Sequence, residues 1–151
     1  MPEEKKTSPW IEEYHSLLFQ IMEIYEEWSQ SYGINLHEYM ILSYIYEHQE
    51  RCLHKNIVAE LFLPTRLVDS ILKQFEQSEM IEYWVNIEDR REKIVRLTEI
   101  GLESAQKVIL GGHEMERKAR EKFGVERFDS LAVDAGDFLK SLRSALNELK
   151  V

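Results

Sequence analysis

The 151-residue sequence predicts a mainly α-helical fold interrupted by one two-stranded β-hairpin, and three observations predict it. Apolar residues recur at steps of three and four over long stretches, which is the period of helices that bury one face. Three Pro and six Gly are too few for a turn-rich sandwich or barrel. A single stretch, Met80 to Leu97, abandons that period for aromatic and β-branched residues on either side of a charged turn.

The elements follow in order. Ser8-Pro9 puts Ser at an N-cap and Pro at a first helical position. Trp10, Ile11, Tyr14, Leu17, Leu18, Ile21, Ile24, Tyr25 and Trp28 then form one wide stripe, with an acidic opposite face and no Lys or Arg before Gly33 ends the helix. Asn35 with Glu38 is a capping-box pattern that opens a helix from Leu36 to Glu47. A short helix from Lys55 to Phe62 meets Leu63-Pro64-Thr65, where Pro ends one helix and begins the next. From Thr65 to Ser78, Leu67, Val68, Ile71, Leu72 and Phe75 fall within an arc of about 140°, leaving Arg66, Asp69, Ser70, Lys73 and Gln77 on the other side.

Two short helices joined by a three-residue corner, the second with a polar outward face, describe a helix-turn-helix. The hairpin after it, Met80–Val85 and Lys93–Leu97, is then a wing. Thr98 caps a long helix that runs to Ala119 through Gly111-Gly112, a pair read as a close helix crossing. Beyond Gly124, Phe128, Leu131, Ala135, Phe138, Leu142, Ala145 and Leu149 keep helical spacing. The expected fold is a winged helix-turn-helix with dimerisation helices at both ends.

Residues Asn86 to Gly101 (NIEDRREKIVRLTEIG) resemble the wing-to-helix signature of the MarR-type winged-helix transcriptional regulators, Asp-x-Arg at the wing tip followed by a strand and Leu-Thr-x-x-Gly. The likeness extends back through Val58-Ala59 and Phe75-Glu76, and in element order it spans nearly the whole chain. It departs at three places. Glu79 replaces the usual Gly between recognition helix and wing, so the turn is expected without left-handed backbone chemistry. Pro64 replaces a Ser or Thr cap, and Asp69 lowers the charge between Arg66 and Lys73.

The resemblance implies a single domain over 1–151, with residues 35–98 as the DNA-binding part and 8–33 and 99–151 as dimerisation helices. It implies a homodimeric, sequence-specific regulator, a repressor, on a pseudo-palindromic double-stranded operator. Thr65, Arg66, Asp69, Ser70 and Lys73 would face the major groove; Asp89, Arg90, Arg91 and Lys93 would form the wing contact, with Arg91 in the minor groove and Asp89 orienting it. Members of the family often respond to small aromatic or phenolic ligands. Nine of the 16 aromatic residues lie between Trp10 and Tyr46, and Tyr14, Tyr25, Trp28 and Tyr39 are the candidates for such a pocket. In this family a redox-sensing Cys usually lies in the first helix.

Charge and chemistry bound these expectations. The 19 Lys+Arg against 28 Asp+Glu give a net charge of −9, an unusual balance for a nucleic-acid binder. From Lys55 to Thr98, however, seven basic residues stand against eight acidic ones, and four of the seven lie between Arg90 and Arg96. The competing reading of the acidic balance is a winged helix that works through protein–protein contacts. No nucleophile–base pairing or phosphate loop suggests an enzyme. The single Cys52 reads as a buried, inert thiol. His48, Cys52 and His54 offer at most three local ligands without a metal motif, so no metal or cofactor is expected. Without a membrane span or a signal core, the chain reads as cytoplasmic.

Overall fold

A computed structural model describes residues 7–150; the polar leader, residues 1–6, lies outside them. Six helices and one hairpin follow the expected order: α1 (Pro9–Gln30), α2 (Leu36–Glu47), α3 (His54–Leu61), α4 (Thr65–Gln77), β1 (Ile81–Val85), β2 (Lys93–Leu97), α5 (Glu99–Phe123) and α6 (Val125–Leu149). The chain forms two compact units, Met1–Leu110 and Gly111–Val151, whose boundary falls inside α5. α5 continues unbroken through Gly111-Gly112 and ends at Phe123, one turn beyond the expected Ala119.

The first unit holds the core. Ile41, Leu42 and Ile45 of α2 are fully enclosed with Ile57 of α3, Val68, Leu72 and Phe75 of α4, Val95 of β2 and Val108 and Ile109 of α5. The stripe along α4 is thus the buried face that its spacing predicts. The α1–α2 corner is closed by side chains that satisfy otherwise orphaned helix-start N–H groups. Asn35 Oδ1 accepts from Glu38 N at 2.9 Å and Glu38 Oε2 accepts from Asn35 N at 2.8 Å, completing the capping box. Glu26 Oε2 accepts from Leu36 N at 2.7 Å. The buried Glu38 also receives Gln74 Nε2 at 2.8 Å, so the same carboxylate ties the start of α2 to α4.

The end of α4 corrects one expectation. Glu79 adopts the left-handed conformation (φ 57°) although it is not Gly. Met80 N–H donates to Phe75 O at 2.9 Å and Glu79 N–H to Glu76 O at 3.0 Å, the bond pair of a Schellman motif. The turn is therefore the one Gly would make, at a cost of about 1–2 kcal/mol in backbone strain. It is braced by α5. Thr98 Oγ1 accepts from Gly101 N at 3.0 Å and donates to Glu79 O at 2.6 Å, while Thr98 N–H donates to Met80 O at 3.0 Å. Gly101 is required there, because a Cβ on it would sit 1.8 Å from Met80 O. The Leu-Thr-x-x-Gly signature is thus a joint. Thr caps α5 and holds the turn, and Gly lets the two backbones touch.

β1 and β2 pair antiparallel from Ile81↔Leu97 to Val85↔Lys93. The hairpin is anchored to the α2–α3 loop through Val95 N–H to Cys52 O at 2.7 Å and a bridge between Leu53 and Ile94. Cys52 is fully buried, and burial pushes its thiol up to about 12. In the second unit, Arg117 links Glu114 and Glu121 along α5 and holds the Glu114 carboxyl down at about 2. No residue of α6 is buried. No helix among the described residues is long and apolar enough to cross a membrane.

Candidate nucleic-acid interface

With Val68, Ile71, Leu72 and Phe75 turned inward, α4 turns Thr65, Arg66, Asp69, Ser70 and Lys73 outward, and all five are exposed. They lie on the second helix of the helix-turn-helix, where side chains reach base edges when such a helix enters a major groove. Arg66 and Lys73 make no ion pair with any described residue. Asp69 is engaged differently: its Oδ1 lies 2.5 Å from His54 Nε2, which joins the first residue of α3 to the outward face of α4. That contact occupies one lone-pair site of the carboxylate that would otherwise accept from a cytosine amino group.

The wing is ordered by its own polar side chains. Asn86 N–H donates to Glu92 O at 3.1 Å, and Asn86 Oδ1 receives Glu88 N at 3.2 Å. At the tip Asp89 Oδ1 accepts from Arg91 N at 3.0 Å and from Arg91 Nε at 3.4 Å. Arg91 remains 93% exposed at its side chain, so the carboxylate sets its direction without covering it. Arg90 is exposed beside it and makes no ion pair with any described residue. At the wing base Lys55 of α3 pairs with Glu92. Lys93 Nζ lies 5.8 Å from the centre of the Tyr83 ring, and the Arg96 guanidinium stacks 3.8 Å over Trp84. Trp84 Nε1 in turn donates to Glu82 Oε1 at 3.0 Å. The two cation–ring contacts cross between the strands, and with Glu82 opposite Arg96 in register they stiffen the hairpin that carries the arginines.

Basic charge therefore divides into two kinds. Arg66, Lys73, Arg90 and Arg91 project into solvent, whereas Lys55 and Arg96 are held by partners within the fold. The composition of the segment does not separate them, because the partners lie tens of residues away or across the hairpin. The same is true of the His54–Asp69 pair. Only the alternation of the strands hinted that Trp84 and Arg96 share a face.

A family model for the SarA/Rot transcriptional regulators matches residues 23–108, from α1 through the helix-turn-helix and wing into α5. The chain belongs to the SarA/Rot family of transcriptional regulators. Solved structures carry the same fold. A MarR family regulator from Neisseria meningitidis, NMB1585, superposes with a TM-score of 0.80 at 21% identity over 95% of this chain and 100% of that one. MepR of Staphylococcus aureus in its DNA complex gives 0.74 at 19% identity over 90% and 99%. A MarR/EmrR family regulator from Acinetobacter sp. ADP1 gives 0.70 at 25% identity over 92% and 95%. No curated protein sequence matches the chain. The fold of this SarA/Rot family member is thus the MarR-type winged helix, and its family is one of regulators rather than enzymes.

The four aromatic residues proposed for a ligand pocket are not brought together. Tyr25 and Tyr39 face each other with ring centres 6.4 Å apart, and Tyr39 is a buried part of the core. Trp28 packs against the same core and donates its Nε1–H to Val108 O at 3.1 Å. Tyr14 lies three turns earlier on α1, about 16 Å along the helix axis from Tyr25. Among the described residues no group of three or more His, Cys, Asp or Glu side chains forms a metal site. His48 instead contacts Tyr44 O through Nδ1 at 2.9 Å, and Cys52 is buried.

Proposed function

We propose that this SarA/Rot family regulator is a homodimeric, sequence-specific DNA-binding protein, acting as a repressor, that reads a pseudo-palindromic duplex with α4 and clamps the flanking minor groove with the wing. The observation that carries the reading is the wing tip, where Asp89 aims an almost fully exposed Arg91 beside an exposed Arg90. A guanidinium held in direction but left in solvent suits the narrow, electronegative minor groove. Arg66, Ser70 and Lys73 supply the major-groove face, with Arg66 able to make a bidentate contact to guanine. Lys93 reaches a flanking phosphate, and Thr65 lies at the start of α4 where backbone and side chain meet the DNA strand.

Two exposed apolar faces support the dimer. α1 exposes Trp10, Leu17, Ile21 and Ile24 along one stripe, and α6 exposes Phe128, Leu131, Phe138, Leu142 and Leu149 along another. Faces of this extent are rarely left in water. A two-fold pair would present two copies of α4 to half-sites about one helical turn apart.

The test is a gel shift over a salt series with duplexes from the region upstream of the protein's own gene. Arg91→Ala is expected to weaken binding to every sequence and to reduce the salt slope by about one unit. Arg66→Ala is expected in addition to relax sequence preference. Wild-type affinity for Arg91→Ala at all salt concentrations would refute the wing assignment. Absence of any shift by the wild type would leave protein–protein contacts as the better reading. Sizing at micromolar concentration tests the dimer, and a monomer would refute it. We further propose that a small aromatic or phenolic ligand modulates DNA affinity at the end of α1 that carries Tyr25 and Trp28. A phenolic panel that leaves Trp28 fluorescence unchanged would refute that site.

A further inference from the structure

Phe62 stands out on two counts. It is the left-handed cap of α3 (φ 54°, ψ 31°), and the residue is 85% exposed although Leu61 and Leu63 on either side pack against the core. A corner between the two helices of this motif often contains Gly, which takes the left-handed region freely. Here an aromatic residue bears both the backbone strain and the exposure of a ring to water. Strain of this kind, retained on a surface, marks positions kept for what they touch.

The surroundings identify what that is. Phe62 is three residues before Thr65 and four before Arg66, at the end of α4 that this motif directs at base edges. Its exposed neighbours along the chain are Ala59, Glu60, Pro64, Thr65 and Arg66. One ring beside a methyl group, a proline and polar groups is too small a patch to seat a protein, whereas a single large apolar side chain is what reads the methyl group of thymine in a major groove.

We infer that Phe62 is a specificity-determining residue that packs on a thymine methyl at the edge of each half-site; this rests on the DNA-binding reading above. The experiment starts from the duplex that the wild-type protein selects from a random-sequence pool. Each thymine of that duplex is replaced in turn by deoxyuridine, which removes only the methyl. Wild type is expected to lose about fourfold in affinity at one thymine per half-site, the fold-change that corresponds to about 0.8 kcal/mol for one buried methyl. Phe62→Gly should bind the thymine and deoxyuridine duplexes alike and melt at or above the wild-type temperature. Equal sensitivity of both proteins to every deoxyuridine would overturn the contact. A Phe62→Gly protein that melts well below wild type would overturn it too, because the ring would then be holding the fold. If wild type selects no duplex at all, the DNA-binding reading fails first, a result distinct from either.

Discussion

Gly101→Ala tests the joint between recognition helix, wing and α5. An ideal Cβ at this position lies 1.8 Å from Met80 O and 2.7 Å from Met80 C, where ordinary contact begins at 3.4 Å. The atoms in the way are backbone, so no rotamer change relieves the clash, and the entry to β1 has to move by more than about 1 Å. That displacement strains Thr98 N–H to Met80 O (3.0 Å) and Thr98 Oγ1 to Glu79 O (2.6 Å). Overpacking costs about 1–3 kcal/mol and each weakened hydrogen bond about 1 kcal/mol, so the loss is about 3–5 kcal/mol. For a chain of this size the melting temperature should fall by about 6–20 °C. The assay is thermal and urea unfolding followed by circular dichroism at one protomer concentration, since association would otherwise shift the midpoint. Gly136→Ala is the control: it lies in α6, nothing lies within 4 Å of its added Cβ, and ordinary helix propensity should raise stability by about 1 kcal/mol. A Gly101→Ala protein within about 1 kcal/mol of wild type, or an equal drop in both variants, would refute the reasoning.

The remaining expectations concern strain, capping and the thiol. Glu79→Gly removes left-handed strain of about 1–2 kcal/mol against about 0.5–1 kcal/mol of added chain entropy, so the midpoint should rise, by up to about 6 °C; a fall would mean that the exposed carboxylate stabilises the turn. Asn35→Ala breaks the capping box and should cost about 1 kcal/mol in urea unfolding. Cys52, with its thiol pushed up to about 12, should resist alkylation at pH 8 in the native protein and react fully in denaturant. Because the unfolded thiol ionises near its ordinary value of about 9, its contribution to stability is complete below that pH and is lost as pH rises toward 12; a Cys52→Ala protein should show a shallower alkaline decline in the same titration.

Much of the chain was legible because the signals are local. Helical spacing placed the buried face of α4, the Asn35/Glu38 pair placed the start of α2, and the break in period placed the hairpin, since each depends on residues within a turn or a strand of one another. The wing pattern likewise follows from neighbours, with Asp89 and Arg91 two residues apart. The contrary expectation at Glu79 failed because residue preference is weaker than the demands of the joint. Once Thr98 and Gly101 pull the Glu79–Met80 backbone onto α5, the left-handed turn is imposed on whatever residue stands there.

The sequence by itself determined the order of elements, the apolar stripes and the basic cluster at the wing, because periodicity, caps and charge are written along the chain. Tertiary structure alone decided which basic groups stay in solvent, that His54 holds Asp69, that Tyr25 faces Tyr39, and that Phe62 is exposed in a strained corner. The pairings among them join residues 12 to 37 positions apart through the packing of separate elements, and spacing along the chain does not encode such meetings.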